Sequence, residues 1–227
     1  MAELILALDL PNKEQALSLI DSLGGKLSWC KVGMELFTGS GPDLIAELKK
    51  RQLSVFLDLK FHDIPHTVGR AVAQAARIGA DLVTVHCQGG ARMLQEACAV
   101  KERPRIFGVT VLTSMAQGEI PGVSANPNDF ALDLATLAAT AGLDGIVCSV
   151  QEVAAIKKRH PNLRVLCPGI RPTWAEKKGT ADDQRRTATP QKAVALGADF
   201  LVVGRPVLCA DNPREALEKI LDEMASS

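Results

Sequence analysis

The sequence predicts an α/β fold, a single-domain (β/α)8 barrel (TIM barrel) over residues 1–227. Short apolar segments rich in β-branched residues alternate with longer amphipathic segments, and the alternation occurs eight times. The short segments are apolar on both faces, which is typical of parallel strands covered by helices. Eight strands alternating with helices favour a closed barrel over an open doubly wound sheet. No G-x-G-x-x-G motif follows the first strand, which counts against a dinucleotide-binding fold.

The strands are predicted from the apolar runs, and the helices from apolar residues at helical spacing. In chain order the strands are LILALD (4–9), WCKVG (29–33), SVFLDLK (54–60), DLVTVHC (81–87), RIFGVTVL (105–112), DGIVCS (144–149), RVLCPG (164–169) and DFLVVG (199–204). Three helical stripes are Ala16, Leu19, Ile20 and Leu23; Phe130, Leu134, Leu137, Ala138 and Ala141; and Leu217, Ile220, Leu221 and Met224.

The helix ends carry start and stop signals. Asn12 followed by Gln15 indicates a capping box, and Asn212 with Pro213 and Glu215 predicts the start of the last helix. Three Gly-x-Asp triplets each end a helix and lead directly into a strand, because glycine readily adopts the left-handed conformation after a helix. They lie at residues 79–81, 142–144 and 197–199.

Composition and charge argue against several functional classes. Lys plus Arg and Asp plus Glu are 26 each, so the formal net charge is 0. A protein that binds nucleic acid or an anionic membrane usually has more basic than acidic residues. No apolar run approaches the roughly 18 residues of a membrane span. The first ten residues lack the basic region of a signal peptide, and Glu3 and Asp9 interrupt their apolar stretch. We expect a cytoplasmic protein with no nucleic-acid or membrane partner.

The cysteines and histidines do not predict a metal site. The six cysteines form no C-x-x-C pair and have no zinc-finger spacing, so we expect free buried thiols. His62 and His66 are four residues apart, but Pro65 between them disfavours a helix across the pair.

Charged residues occur where an apolar core is expected. Asp9 ends the first strand, Lys31 lies in the second, and Asp58 and Lys60 lie in the third, with Asp63 just beyond it. Because strand side chains alternate between faces, Asp58 and Lys60 should point into the barrel mouth. Buried ion pairs seldom stabilise more than apolar packing does, so this cluster indicates function rather than ordinary salt bridges at strand ends. A lysine flanked by carboxylates stays charged and can donate a proton to a carbanion.

A phosphate site is predicted on another side of the mouth. Two connections are long, residues 113–126 after strand 5 and residues 170–189 after strand 7. Gly204 and Arg205 follow strand 8, where barrels of this type often bind phosphate. Arg171 and Gln184 in the second long connection could add donors. The residues alone therefore predict a barrel enzyme that acts on a small phosphorylated molecule.

The run Asp58-Leu-Lys-Phe-His-Asp-Ile-Pro-His-Thr67 resembles the signature of the orotidine 5′-monophosphate decarboxylase family. Weaker matches extend the resemblance along nearly the whole chain, in the expected order: LALD (6–9), KVG (31–33), VLTS (111–114), PGIR (168–171), DQ (183–184) and VGRP (203–206). The segment between Arg171 and Gln184 is a few residues longer than is typical of the family, and Asp182 stands where glycine is common.

The resemblance implies cofactor-free and metal-free decarboxylation of orotidine 5′-monophosphate (OMP) to uridine 5′-monophosphate (UMP), the last step of pyrimidine nucleotide synthesis. It implies that Lys60 protonates C6 and that Asp58 lies beside the departing carboxylate, within a network that includes Lys31 and Asp63. It also implies a homodimer in which Asp63 and Thr67 enter the partner's site. The implied substrate-binding residues are Asp9, Lys31, Thr67, Thr113, Ser114, Pro168, Arg171, Gln184, Gly204 and Arg205.

Two alternatives remain at this stage. One is a magnesium-dependent 3-keto-L-gulonate 6-phosphate decarboxylase or hexulose-phosphate synthase of the same fold. Those enzymes are expected to carry a glutamate metal ligand where this chain has Lys31. The other alternative is a nucleotide-binding barrel without catalytic activity, which the fold alone does not exclude.

Overall fold

Eight parallel strands form a closed barrel, each strand pairing with the next in the sequence and β8 pairing with β1. The computed structural model describes residues 2–115, 118–120, 126–175 and 186–226. The strands are β1 (Glu3–Ala7), β2 (Trp29–Gly33), β3 (Ser54–Phe61), β4 (Leu82–His86), β5 (Arg105–Val109), β6 (Gly145–Val147), β7 (Arg164–Cys167) and β8 (Phe200–Val203). The predicted (β/α)8 barrel is therefore confirmed.

Helices connect the strands and cover the outside of the barrel. They are α1 (Lys13–Ser22), α2 (Met34–Ser40), α3 (Pro42–Lys50), α4 (Pro65–Arg77), α5 (Gly90–Cys98), α6 (Pro127–Ala141), α7 (Val153–Arg159), α8 (Pro190–Ala195), α9 (Arg205–Leu208) and α10 (Pro213–Ala225), with short 3₁₀ turns at Cys87–Gly89 and Thr173–Ala175. Both predicted caps form. Asn12 Oδ1 accepts a hydrogen bond of 3.0 Å from Gln15 N, and Asn212 Oδ1 accepts one of 3.3 Å from Glu215 N.

The barrel interior is closed by an apolar layer of nine side chains. The ring of Phe200 packs edge to face on Trp29 and on Phe107, with centroids 5.7 Å apart in each pair. A Cβ at Gly145 would lie 2.6 Å from the Phe107 ring, so glycine is required there. The layer comprises Ile5, Ala7, Trp29, Phe56, Leu82, Phe107, Leu166, Phe200 and Val202. A larger apolar core lies between the strands and the helices, and it buries Leu57 on the face opposite Asp58.

The three Gly-x-Asp triplets form the same brace at the amino-terminal end of the barrel. Their glycines have φ values of 88°, 86° and 98°, in the left-handed region that was predicted. Each aspartate accepts a 2.7 Å hydrogen bond from a main-chain N–H of the preceding strand and also pairs with a Lys or Arg. The sets are Asp81 with Val55 N and Lys49, Asp144 with Ile106 N and Arg103, and Asp199 with Val165 N and Lys157.

The six cysteines all lie in described residues and are free. Four are buried, Cys98 is half-buried, and Cys209 is exposed, so the expectation of buried thiols is wrong for Cys209. Burial raises the pKa of the Cys30 and Cys87 thiols to about 12, which makes both unreactive at neutral pH.

None of the helices in the described ranges is long and apolar enough to cross a membrane.

Candidate active site

A pocket of about 270 Å³ opens at the carboxyl ends of the strands. Phe56, Leu166 and Val202 of the apolar layer form part of its floor. Parallel barrels carry their active sites at this end. Ten residues that were predicted to bind or act on substrate line the pocket: Asp9, Lys31, Asp58, Lys60, Thr113, Ser114, Pro168, Arg171, Gly204 and Arg205.

Two lysines and two aspartates alternate in sign across one side of the pocket. Lys60 Nζ lies 2.8 Å from Asp58 Oδ2. Lys31 Nζ lies 2.8 Å from Asp9 Oδ1 and 3.9 Å from Asp58 Oδ2. Asp58 is only 8% exposed, so its charge would be costly without these ammonium groups. The arrangement places a protonated amine beside a buried carboxylate, as a proton donor to an anionic intermediate requires.

An irregularity in β3 aims Lys60 into the pocket. Leu57 pairs with Val83 and Phe61 pairs with Val85, so residues 58–60 stand opposite Thr84 alone. Lys60 has a φ of 52°, a left-handed backbone conformation that residues with a Cβ rarely adopt. Simple alternation of strand faces predicts that Lys60 points into the mouth of the barrel. Lys60 does line the pocket, but a bulge in β3, and not regular alternation, places it there.

Thr84 holds this irregular backbone in place. Its side chain is fully buried and donates a 2.9 Å hydrogen bond to Asp58 Oδ1. The same hydroxyl accepts a 3.0 Å hydrogen bond from Lys60 N. Sequence reasoning missed Thr84. The available signal was a hydroxyl in the otherwise apolar strand DLVTVHC, next to the strand that carries the charged motif.

Of the predicted phosphate-binding residues, Arg171 lies across the mouth from Lys60, whereas Gly204 lies beside Asp9. Arg171 follows β7, which is four strands from β3 in the eight-stranded barrel, and Arg205 follows β8. Arg171 N donates a 2.8 Å hydrogen bond to Ala188 O, and Ile170 forms a bridge with Ala188, so the two ends of the long connection meet. Gln184 and Asp182 lie outside the described residues.

Asp63 and Thr67 do not line the pocket of their own chain. Both are exposed, and Asp63 Oδ1 accepts a 2.6 Å hydrogen bond from Ile64 N just before α4. Their predicted role requires a second copy of the chain.

The rings of His62 and His86 contact each other near Lys60, with centroids 5.3 Å apart and an interplanar angle of 37°. Burial, with the nearby His62 and Lys60, lowers the pKa of His86, which favours the neutral form of its ring. Among the residues that the structure describes, no three His, Cys, Asp or Glu side chains form a group that could hold a metal ion.

Comparison with known proteins gives matches along nearly the whole chain. A protein from Nitratidesulfovibrio vulgaris named orotidine 5′-phosphate decarboxylase is 47% identical, covering 100% of this chain and 99% of the relative. A protein of the same name from Pseudomonas syringae is 46% identical, covering 97% of each. The crystal structure of orotidine 5′-phosphate decarboxylase from Lactobacillus acidophilus is 33% identical with a TM-score of 0.84, covering 99% of both chains.

The family model described as orotidine 5′-phosphate decarboxylase / HUMPS family matches residues 2–220. The match spans all eight strands and every pocket residue described above. The chain belongs to the orotidine 5′-phosphate decarboxylase / HUMPS family.

Proposed function

We propose that this protein decarboxylates OMP to UMP without a metal or an organic cofactor. The observation that carries the proposal is the Lys60 ammonium, 2.8 Å from the buried Asp58 carboxylate in a pocket whose other side presents Arg171 and Arg205. This arrangement matches a substrate with an anionic group at each end. The names of the relatives at 46–47% identity support the same reaction.

In the proposed reaction, the C6 carboxylate of the substrate lies beside Asp58 and Lys60. The bond between C6 and the carboxylate carbon breaks, CO2 leaves, and the electron pair remains on C6. Lys60 then donates a proton from Nζ to C6 and regains one from solvent. The ion pair with Asp58 holds the Lys60 Nζ in position until that step. The ammonium stabilises the carbanion that develops at C6, and one preorganised donor of this kind is typically worth roughly 3–4 kcal/mol.

The remaining pocket residues are proposed to bind the rest of the nucleotide. Lys31 and Asp9 hold the ribose hydroxyls and the charge network, whereas Thr113, Ser114 and Pro168 surround the pyrimidine. The proposed phosphate ligands are Arg171, Gln184, Gly204 and Arg205. We further propose a cytoplasmic homodimer of one-domain chains, in which Asp63 and Thr67 complete the partner's site. Their exposure and their position just beyond the pocket-lining Lys60 support this role.

Lys31 argues against the magnesium-dependent sugar-phosphate alternative. Its ammonium bonds Asp9 and lies 3.9 Å from Asp58, between the carboxylates that a divalent cation would need. A fixed positive charge at that position repels a metal ion.

The test is ultraviolet turnover of OMP in excess chelator by the wild type, Lys60→Ala and Lys157→Ala. Lys157 forms a comparable 2.6 Å pair with Asp199 at the other end of the barrel. We expect chelator-resistant formation of UMP that Lys60→Ala lowers by several orders of magnitude and Lys157→Ala leaves within about threefold. A wild type that is inactive, or that the chelator inactivates, would overturn the proposal. The next substrate would then be 3-keto-L-gulonate 6-phosphate with magnesium.

A further inference from the structure

A buried ion pair outside the pocket joins Arg186 to Glu152. Arg186 Nη1 donates a hydrogen bond to Glu152 Oε1. The side chains are 10% and 2% exposed, respectively. Arg186 lies at the end of the long connection after β7, and Glu152 immediately precedes α7.

The same pair bonds to the main chain of two other connections. Arg186 Nη2 donates hydrogen bonds of 3.3 Å to Val111 O and 3.1 Å to Leu112 O, just beyond β5. Glu152 Oε2 accepts a 2.6 Å hydrogen bond from Ser149 N, just beyond β6. One guanidinium and one carboxylate therefore fix the segments that follow β5, β6 and β7 relative to one another.

Stability alone does not account for this arrangement. Burying two charges seldom stabilises a protein more than apolar packing would. Arg186 Nε is also buried with no hydrogen-bond partner, and an unsatisfied buried donor is destabilising. Burial raises the pKa of Glu152 to about 7, which is the direction expected of a carboxylate whose ionisation is opposed by its surroundings. A costly polar pair that bonds to a pocket-lining segment is a candidate for function.

The pair joins two connections that are proposed to bind opposite ends of the substrate. On one side, Val111 and Leu112 line the pocket and lead directly to Thr113 and Ser114, the proposed base contacts. On the other side, Arg186 is two residues from Gln184 in the sequence, and Ala188 accepts the hydrogen bond from Arg171 N. The guanidinium thus bonds to the base-contacting segment from within the phosphate-binding connection.

We propose that Arg186 and Glu152 are positioning residues that couple phosphate binding to the placement of the pyrimidine ring. This inference rests on the proposed function. Binding energy from a remote part of a substrate can be used to orient the reacting atoms, and a small misplacement of the ring then lowers turnover. Without the pair, the phosphate still binds but contributes less to catalysis at C6.

The test compares kcat/KM for OMP with kcat/KM for orotidine, which lacks the phosphate. Arg186→Met retains the length of the side chain without its donors, and Arg186→Lys restores charge without the planar fork. Glu152→Gln removes the charge of the acceptor. Arg103→Met is the matched control. Arg103 precedes β5 and pairs with Asp144, which precedes β6, at the opposite end of the barrel.

We expect Arg186→Met to lower kcat/KM for OMP by about 10- to 100-fold while lowering that for orotidine by less than about threefold. Arg186→Lys and Glu152→Gln should show smaller losses in the same direction, and Arg103→Met should leave the ratio of the two substrates unchanged. KM for OMP should change less than kcat, because the phosphate ligands themselves remain.

The inference would be overturned if Arg186→Met lowered kcat/KM equally for OMP and orotidine, or if its ratio of the two kcat/KM values matched that of Arg103→Met. Either result would show a merely structural role. If Arg186→Met does not fold, the ratio measured with Arg186→Lys and Glu152→Gln decides. If none of the three folds, the pair is structural and the inference is wrong. If the wild type turns over OMP and Arg186→Met has the same kcat/KM, the inference is wrong but the proposed function stands. If the wild type is inactive, both the proposed function and the inference are wrong.

Discussion

Replacing Thr84 with valine removes a buried hydroxyl that contacts both members of the proposed catalytic pair. Valine fills nearly the same volume, so the change deletes two hydrogen bonds without opening a cavity. The bond to Asp58 Oδ1 is 2.9 Å long and the bond from Lys60 N is 3.0 Å long. Asp58 retains Lys60 Nζ as a partner, whereas the Lys60 N–H loses the acceptor that supports its left-handed backbone.

The expected loss of stability follows from these contacts. A hydrogen bond to a charged group contributes about 1.5–3 kcal/mol, and an unsatisfied buried donor costs about 1–3 kcal/mol. Because Asp58 keeps its other contact, we take the lower part of both ranges and expect Thr84→Val to lower the free energy of unfolding by roughly 3 kcal/mol. Relaxation of the bulge should also move Lys60 Nζ, and a shift of about 1 Å can lower kcat roughly 100-fold.

Thr110→Val is the matched control. Thr110 is also buried, at 1% exposure, and its hydroxyl donates a 2.9 Å hydrogen bond to the neutral Val147 O. We expect that variant to lose about 1 kcal/mol of stability and to keep its kcat. Urea unfolding and steady-state turnover of OMP measure both quantities. If Thr84→Val keeps wild-type kcat, or if both variants lose the same stability and activity, Thr84 does not position Lys60.

Other regions of the barrel give three further predictions. The pKa of Glu152 is about 7 in the folded protein against 4.5 for the free side chain. Between pH 4.5 and pH 7, Glu152 is therefore protonated more in the folded state than in the unfolded state. The free energy of unfolding should fall by roughly 3 kcal/mol relative to Glu152→Gln as the pH rises from 4.5 to 7, as urea titrations of both proteins will measure. A thiol reagent at pH 8 should modify the exposed Cys209 rapidly and leave Cys30 and Cys87 unmodified until urea unfolds the chain. Phe200→Ala should lower the free energy of unfolding by about 3–5 kcal/mol, because Phe200 packs fully buried on two aromatic rings.

The strands could be predicted from the sequence because short runs that are apolar on both faces and alternate with amphipathic segments are typical of a covered parallel sheet. Their amino-terminal ends agree within one residue, but several predicted carboxyl ends extend too far. The run 105–112 ends at Val109 and the run 144–149 ends at Val147. Val111 and Cys148 line the pocket instead. Apolar composition marks burial in either place and does not distinguish the strand from the pocket wall.

The charged part of the site was predictable for a related reason. Asp58 and Lys60 occupy positions where burial of a charge has no structural benefit, so their identity alone indicates function. Thr84 was marked only by a hydroxyl within an apolar strand, and the Arg186–Glu152 pair was not predictable, since its partners lie far away in the sequence. Arg186 bonds to a carboxylate 34 positions away and to main-chain oxygens 74 and 75 positions away. Nothing in the local sequence marks such a contact.

The two ends of the barrel show why local patterns predict one end better than the other. At the amino-terminal end, the same Gly-x-Asp brace recurs before β4, β6 and β8, with a normal capping glycine and a main-chain hydrogen bond of 2.7 Å in every case. At the carboxyl end, β3 bulges, Lys60 adopts a positive φ and a buried arginine leaves a donor unsatisfied. A repeated, unstrained motif stabilises the fold and can therefore be read from the sequence. The bulge at Lys60 and the unsatisfied donor of Arg186 depend on contacts between distant segments of the chain, so no local pattern predicts them.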